Sequence, residues 1–262
     1  MEMILLLLTG LLAGVLSGMF GIGGGVMIVP ALMFIAGFAQ LEANGTCLAA
    51  LLPPVGILAV IAYYKVKLLH IKSSLLIAAG LLGGGFLGAL LAHSLSSMLL
   101  KQLYGFFLLY LSIRFLKPEE WIPAFNRNRN IKTHVCRKPE DLHWWGLLIL
   151  GLLSGVVSGL FGIGGGAVIV PMLTSVFRLN HKRAIAISLG ALLGPVGLIS
   201  TISYYQAGHL NITMAIPVAV GLLSGALLGA KITIGISGER TKQLYGGFIF
   251  LIAIYFVTGP WM

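Results

Sequence analysis

The sequence predicts an all-α polytopic membrane protein made of two inverted repeats. Each repeat is expected to hold about five helical segments, with Gly-rich broken or re-entrant hairpins meeting near the midplane. Three observations carry this. First, the 262-residue chain is 58% hydrophobic and 9% charged, with mean hydropathy +1.01; a soluble surface needs far more charge. Second, Gly18-Met-Phe-Gly-Ile-Gly-Gly-Gly-Val-Met-Ile-Val-Pro30 returns 141 residues later as Gly159-Leu-Phe-Gly-Ile-Gly-Gly-Gly-Ala-Val-Ile-Val-Pro171. Third, equivalent loops of the two halves carry opposite charge character.

The first half divides into apolar pieces at about 3–19, 26–38, 45–64, 72–93 and 99–116, and the second at about 144–160, 167–178, 186–205, 212–234 and 241–258. The halves, 1–117 and 144–262, are joined by a polar linker, 118–143. They align without a gap over about residues 10–117, with roughly two positions in five identical. Such a duplication sets the architecture before any single segment does. The opening Met1-Glu2-Met3-Ile-Leu-Leu-Leu-Leu lacks the basic start of a signal peptide, and its counterpart sits mid-chain. Both are read as membrane segments. The first two pieces of each half are short. At 1.5 Å per residue they span about 25 and 20 Å against a hydrocarbon core of about 30 Å. They read as partial helices meeting at a glycine tip. The third piece is broken at Pro53-Pro54 and at Pro195, since proline cannot donate within a helix.

Gly10, Gly14 and Gly18 recur every fourth residue, as do Gly80, Gly84 and Gly88. Gly151, Gly155 and Gly159, and Gly221, Gly225 and Gly229, repeat the pattern. This is the small-residue stripe of closely crossing membrane helices. The two striped helices of each half are expected to be packing partners. Tyr63, Tyr64, Tyr204 and Tyr205 are expected to be interfacial anchors.

Loop charges set the orientation. The 65–72 loop carries Lys65, Lys67 and Lys72, whereas its counterpart, 206–212, carries no Lys or Arg. The 39–44 loop carries none, whereas its counterpart region holds Arg178, Lys182 and Arg183. Equivalent loops therefore belong on opposite sides, which requires inverted repeats. With both termini outside and the 117–143 loop in the cytoplasm, all the Lys and Arg except Lys101 fall on or near the inner face. The expected location is the cell (inner) membrane. In this arrangement Cys136 stays reduced, and the two cysteines, Cys47 and Cys136, make no disulfide framework.

The glycine tips are the candidate site. Glycine permits positive φ and lets a ligand touch backbone. Successive free N–H groups form an anion-binding nest, and the helix that follows aims its positive end at the tip. The candidate substrate-binding residues are Gly21, Gly23, Gly24 and Gly25 of the first tip and Gly162, Gly164, Gly165 and Gly166 of the second. Ser17 and Ser158 abut the tips. Phe20 and Phe161 either line the site or pack as ordinary core. Pro54, Pro195 and the neutral hydroxyl of Ser188 complete the set. The competing reading is that the tip glycines serve close helix packing alone.

The acidic residues (Glu2, Glu42, Glu119, Glu120, Glu140, Asp141 and Glu239) and the six histidines lie in loops or at segment ends. Intramembrane carboxylates are the usual cation ligands and proton relays. Their absence argues against cation transport and against acid–base or nucleophilic catalysis, so no enzyme activity, cofactor or metal is expected. The net charge of +10 is accounted for by cytoplasmic loops, not by nucleic acid. The expected partners are a small inorganic or organic anion and the lipid bilayer, and a homo-oligomer is compatible with the chain.

At Gly21-Ile-Gly-Gly-Gly-Val-Met-Ile-Val-Pro30 and Gly162-Ile-Gly-Gly-Gly-Ala-Val-Ile-Val-Pro171 the chain resembles the TauE/SafE sulfite exporter family. The likeness covers almost the whole chain. It implies transport of small sulfur-containing anions such as sulfite, sulfonates or sulfoacetate. The expectation is thus a secondary transporter working by alternating access, with an anion channel or a carrier of another small solute, such as a metal ion, as alternatives.

Overall fold

The structure is a computed structural model. It describes residues 2–54, 56–116, 142–194 and 197–235, and residues 247, 250, 253, 254 and 256 of the last segment. Most of the 118–143 linker with Cys136, Pro195, and most of the 241–258 piece lie outside the described residues.

Among the described residues the chain is helical, without strands. The first half comprises α1 (Glu2–Phe20), α2 (Gly25–Ile35), α3 (Gln40–Leu51), α4 (Ile57–Lys65), α5 (Ile71–Ser94) and α6 (Ser97–Leu116). The second half comprises α7 (Trp144–Phe161), α8 (Gly166–Ser175), α9 (His181–Leu192), α10 (Leu198–Gln206) and α11 (Ile212–Gly235). Four helices, within α1, α5, α7 and α11, are long and apolar enough to cross a membrane. By contrast α2 and α8, with 11 and 10 residues, are too short to cross. The third piece of each half is split, into α3 and α4 and into α9 and α10, as the Pro-Pro and Gly-Pro interruptions predict. Large apolar side chains face outward on the long helices: Ile4 is 67% exposed, Leu75 65% and Ile216 58%. A surface of this kind is stable against lipid rather than water.

The glycine stripes do pack helices closely, but across the halves. α1 lies along α11, and α5 lies along α7. A methyl group on Gly10, Gly14 or Gly18 would collide with the backbone at Val218, Leu222 and Ala226 of α11. One on Gly80, Gly84 or Gly88 would collide with Leu148, Leu152 and Val156 of α7. The reciprocal stripes meet α1 and α5 in the same way. This corrects the expectation that each half pairs its own striped helices. A stripe of small residues encodes how near a partner comes, not which partner it is.

The tyrosines also divide. Tyr64 and Tyr205 are exposed at the surface, as anchors should be, but Tyr63 and Tyr204 are fully buried. Their hydroxyls donate to the carbonyls of Gly18 and Gly159, at 3.0 and 2.9 Å. The expectation of four interfacial tyrosines fails for these two. Each sits where a helix ends and leaves a carbonyl without its usual donor.

Pro30 and Pro171 lie inside α2 and α8, not in their first turns. Pro30 cannot donate to the carbonyl of Val26, four residues back. The Tyr104 hydroxyl of α6 donates to that carbonyl instead, at 3.3 Å.

Candidate functional site

Each tip is a break between two helices whose backbone only glycine holds without strain. In the first, Gly21, Gly23 and Gly24 have φ of 69°, 85° and 78°. In the second, Gly162, Gly164 and Gly165 have 70°, 84° and 80°. Side chains carrying a Cβ rarely adopt this region. Gly24 and Gly165 are the N-caps of α2 and α8. The two tips touch. A methyl group on Gly25 would lie 2.6 Å from the Ile163 backbone, and one on Gly166 would lie 2.7 Å from that of Ile22.

The carbonyls at the ends of α1 and α7 are capped, mostly by donors from neighbouring helices. At the end of α1, the Ser17 carbonyl accepts from the Gly21 N–H at 2.7 Å. The Gly18 carbonyl accepts from Tyr63. The Met19 carbonyl accepts from Thr233 Oγ1 at 3.1 Å, and the Gly21 carbonyl from Ser188 Oγ at 2.7 Å. At the end of α7, the Ser158 carbonyl accepts from Gly162, that of Gly159 from Tyr204, and that of Leu160 from Asn44 Nδ2 at 3.0 Å. These helix-end carbonyls are therefore occupied, whereas the carbonyls of Ile22, Gly23, Gly162, Ile163 and Gly164 have no donor among the described residues. The N–H groups of Gly23, Gly24, Gly25 and Val26, and of Gly164, Gly165, Gly166 and Ala167, have no acceptor among the described residues. The starts of α2 and α8 thus each present free N–H groups and the positive end of a helix dipole.

A cavity opens beside the tips. Ser17, Gly23, Leu48, Leu51 and Gly56 line it from the first half, and Ser158, Gly164, Leu189, Leu192 and Gly197 from the second. Every residue of one set is the other's counterpart at the 141-residue offset, with the same residue type. Two copies of one surface thus enclose one space. Its volume is about 40 Å³, several times the roughly 10–15 Å³ that one water needs. The Ser17 and Ser158 side chains are more than nine-tenths buried, at 6% and 7% exposure. Neither hydroxyl has a hydrogen-bond partner among the described residues. Among the described residues no charged side chain lines the space, and no group of His, Cys, Asp and Glu could hold a metal ion.

The candidate residues therefore fall into three sets. Ser17, Gly23, Ser158 and Gly164 line the cavity. Gly21, Gly24, Gly25, Gly162, Gly165, Gly166 and Ser188 shape or tether the tips behind it. Phe20 and Phe161 are buried in the core and are not among the lining residues. The Phe161 ring stacks on Phe107 at 5.4 Å and tilts against Tyr104 at 5.6 Å. Pro54 is exposed and is not a lining residue, and Pro195 lies outside the described residues. The leucine quartet, Leu48, Leu51, Leu189 and Leu192, and the capping donor Asn44 were not among the residues expected from the sequence. The repeat did carry a signal for part of this. Leu51-Leu-Pro-Pro-Val-Gly56 matches Leu192-Leu-Gly-Pro-Val-Gly197.

The long apolar helices and the outward apolar face define an integral membrane protein with an internal cavity between two broken helix pairs. The chain belongs to the sulfite exporter TauE/SafE family, whose model matches residues 6–256. It is 29% identical to the probable membrane transporter protein MJ0441 of Methanocaldococcus jannaschii, over 96% of this chain and 94% of that protein. It is 28% identical to the probable membrane transporter protein YunE of Bacillus subtilis, over 88% and 89%. A probable membrane transporter protein of Haemophilus influenzae is 27% identical over 96% of each chain. No solved structure matches the chain.

Proposed function

We propose that this protein is a secondary transporter that exports small sulfur-containing anions, such as sulfite, a sulfonate or sulfoacetate, by alternating access. The observation that carries the reading is a pair of helix starts with free N–H groups beside one cavity. The first N–H groups of α2 and α8 have no acceptor among the described residues, and both tips adjoin one cavity lined by Ser17 and Ser158, whose hydroxyls have no hydrogen-bond partner among the described residues. Free N–H groups at a helix start favour an oxyanion. Ser17 and Ser158 would add a donor from each side. The pairing of equivalent lining residues suits a mechanism in which the two repeats exchange roles as the site opens to one side and then the other.

The loop charges support a cell-membrane orientation with both termini outside and the 117–143 loop in the cytoplasm. An inside-negative potential then favours anion exit by about 2.3 kcal/mol per charge per 100 mV. The bilayer is the protein's medium, and no nucleic-acid partner or cofactor enters the mechanism. The test is flux into liposomes containing the purified protein. Sulfite or a sulfonate should move faster than in protein-free vesicles; movement of a divalent metal cation without any anion would refute the reading. Orientation is checked separately with a membrane-impermeant thiol reagent. Cys47 is buried, so labelling of Cys136 should occur only from the cytoplasmic side.

A further inference from the structure

Resting on the anion-transport reading, we infer that the cavity selects anions carrying one negative charge and rejects dianions of similar size. The warrant is the balance of charge in the site. Among the described residues its lining contains no Lys, Arg or His. Positive character comes from the starts of α2 and α8, helices of 11 and 10 residues whose N-caps, Gly24 and Gly165, directly follow the lining residues Gly23 and Gly164. A helix start is worth roughly half an elementary charge, so two supply about one. Ser17 and Ser158, more than nine-tenths buried and without a hydrogen-bond partner among the described residues, add neutral donors. The rest of the wall includes four leucines.

A second negative charge has no counterpart in this lining. The cost of removing an ion from water grows with the square of its charge, whereas attraction to fixed dipoles grows only in proportion to it. A buried charge without a partner is strongly disfavoured. Sulfite would therefore be carried as hydrogensulfite, its proton travelling on the substrate. A monosulfonate would fit, and sulfoacetate, with both acid groups ionised, would not. This narrows the list of proposed substrates.

The experiment uses the full chain in liposomes with protein-free vesicles subtracted, and compares methanesulfonate, sulfite, sulfate and sulfoacetate. Methanesulfonate keeps one charge throughout and reports any effect of pH on the protein itself. Sulfate and sulfoacetate should move at least about tenfold more slowly than methanesulfonate. Sulfite flux at fixed total concentration should rise, relative to methanesulfonate, as pH falls through the second ionisation of sulfite. Sulfate moving as fast as methanesulfonate, or relative sulfite flux rising with pH, would overturn the inference and leave anion transport standing. No flux of any of the four would overturn the transport reading and the inference with it.

Discussion

At the scale of single residues, the tips rest on glycines that differ in what a side chain would meet. Gly25 and Gly166 face the opposite tip's backbone at van der Waals distance or less. Gly25→Ala and Gly166→Ala should force the tips apart at a cost of about 1–3 kcal/mol each. This is checked by thermal unfolding in detergent and by loss of flux. Gly83 is the control, because it lies in α5 on an exposed face with nothing within 4 Å of an added methyl. Gly83→Ala should leave flux intact and stabilise by about 0.5–1 kcal/mol.

The serines give a sharper test of the cavity. If both hydroxyls donate to the anion, Ser17→Ala and Ser158→Ala should weaken binding by similar factors. A hydrogen bond to a charged group is worth about 1.5–3 kcal/mol, so each change should raise apparent KM roughly ten- to hundredfold. A large effect of one and none of the other would mean that one tip binds and its copy does not. The tyrosine caps belong to the same scale. Tyr104→Phe leaves the Val26 carbonyl without a donor, because Pro30 has no N–H to replace it. An unsatisfied buried acceptor costs about 1–3 kcal/mol, which should appear as a lower unfolding temperature.

At the scale of elements, the paired stripes are the main packing devices. α1 against α11 and α5 against α7 bring backbones close enough that no Cβ fits between them at Gly14, Gly84, Gly155 or Gly225. Gly84→Val and Gly225→Val occupy equivalent positions in the two pairs. Both should abolish folded protein in the membrane, measured as monodisperse yield after extraction, and to a similar degree. The short helices are placed by different means. α2 is held by its contacts with α1 and α3 and by the Tyr104 cap, and α8 by contacts with α7 and α9. The elements nearest the cavity are thus the least able to stand alone, since an isolated helix of about ten residues is marginal.

At the scale of the whole molecule, the exchange of striped helices interleaves the repeats. Each half contributes one helix to each long pair. The 1–117 or 144–262 segment expressed alone should be degraded or protease-sensitive, because α1 would lack α11, or α7 would lack α5. Co-expression of the two segments should restore protease resistance and flux. If either segment alone is stable and monodisperse, the interleaved packing does not provide the stability assigned to it.

The class of protein, the two Gly-rich tips, the breaks at Pro53-Pro54 and its counterpart, and the stripes that bring helices close are all legible in the order of residues alone. These are local properties: a run of apolar residues, a glycine without a Cβ, a proline without an N–H. Tertiary structure decided which stripe meets which, that Tyr63 and Tyr204 are buried caps and not surface anchors, and that four leucines from α3 and α9 complete the cavity. It also decided that Phe20 and Phe161 enter the core. None of these has a local signature, because a leucine, a tyrosine or a small-residue stripe has the same spacing whether it faces lipid, core or cavity. The physical reason is that spacing fixes the face of a helix, while the partner across that face is chosen only when all the helices pack at once.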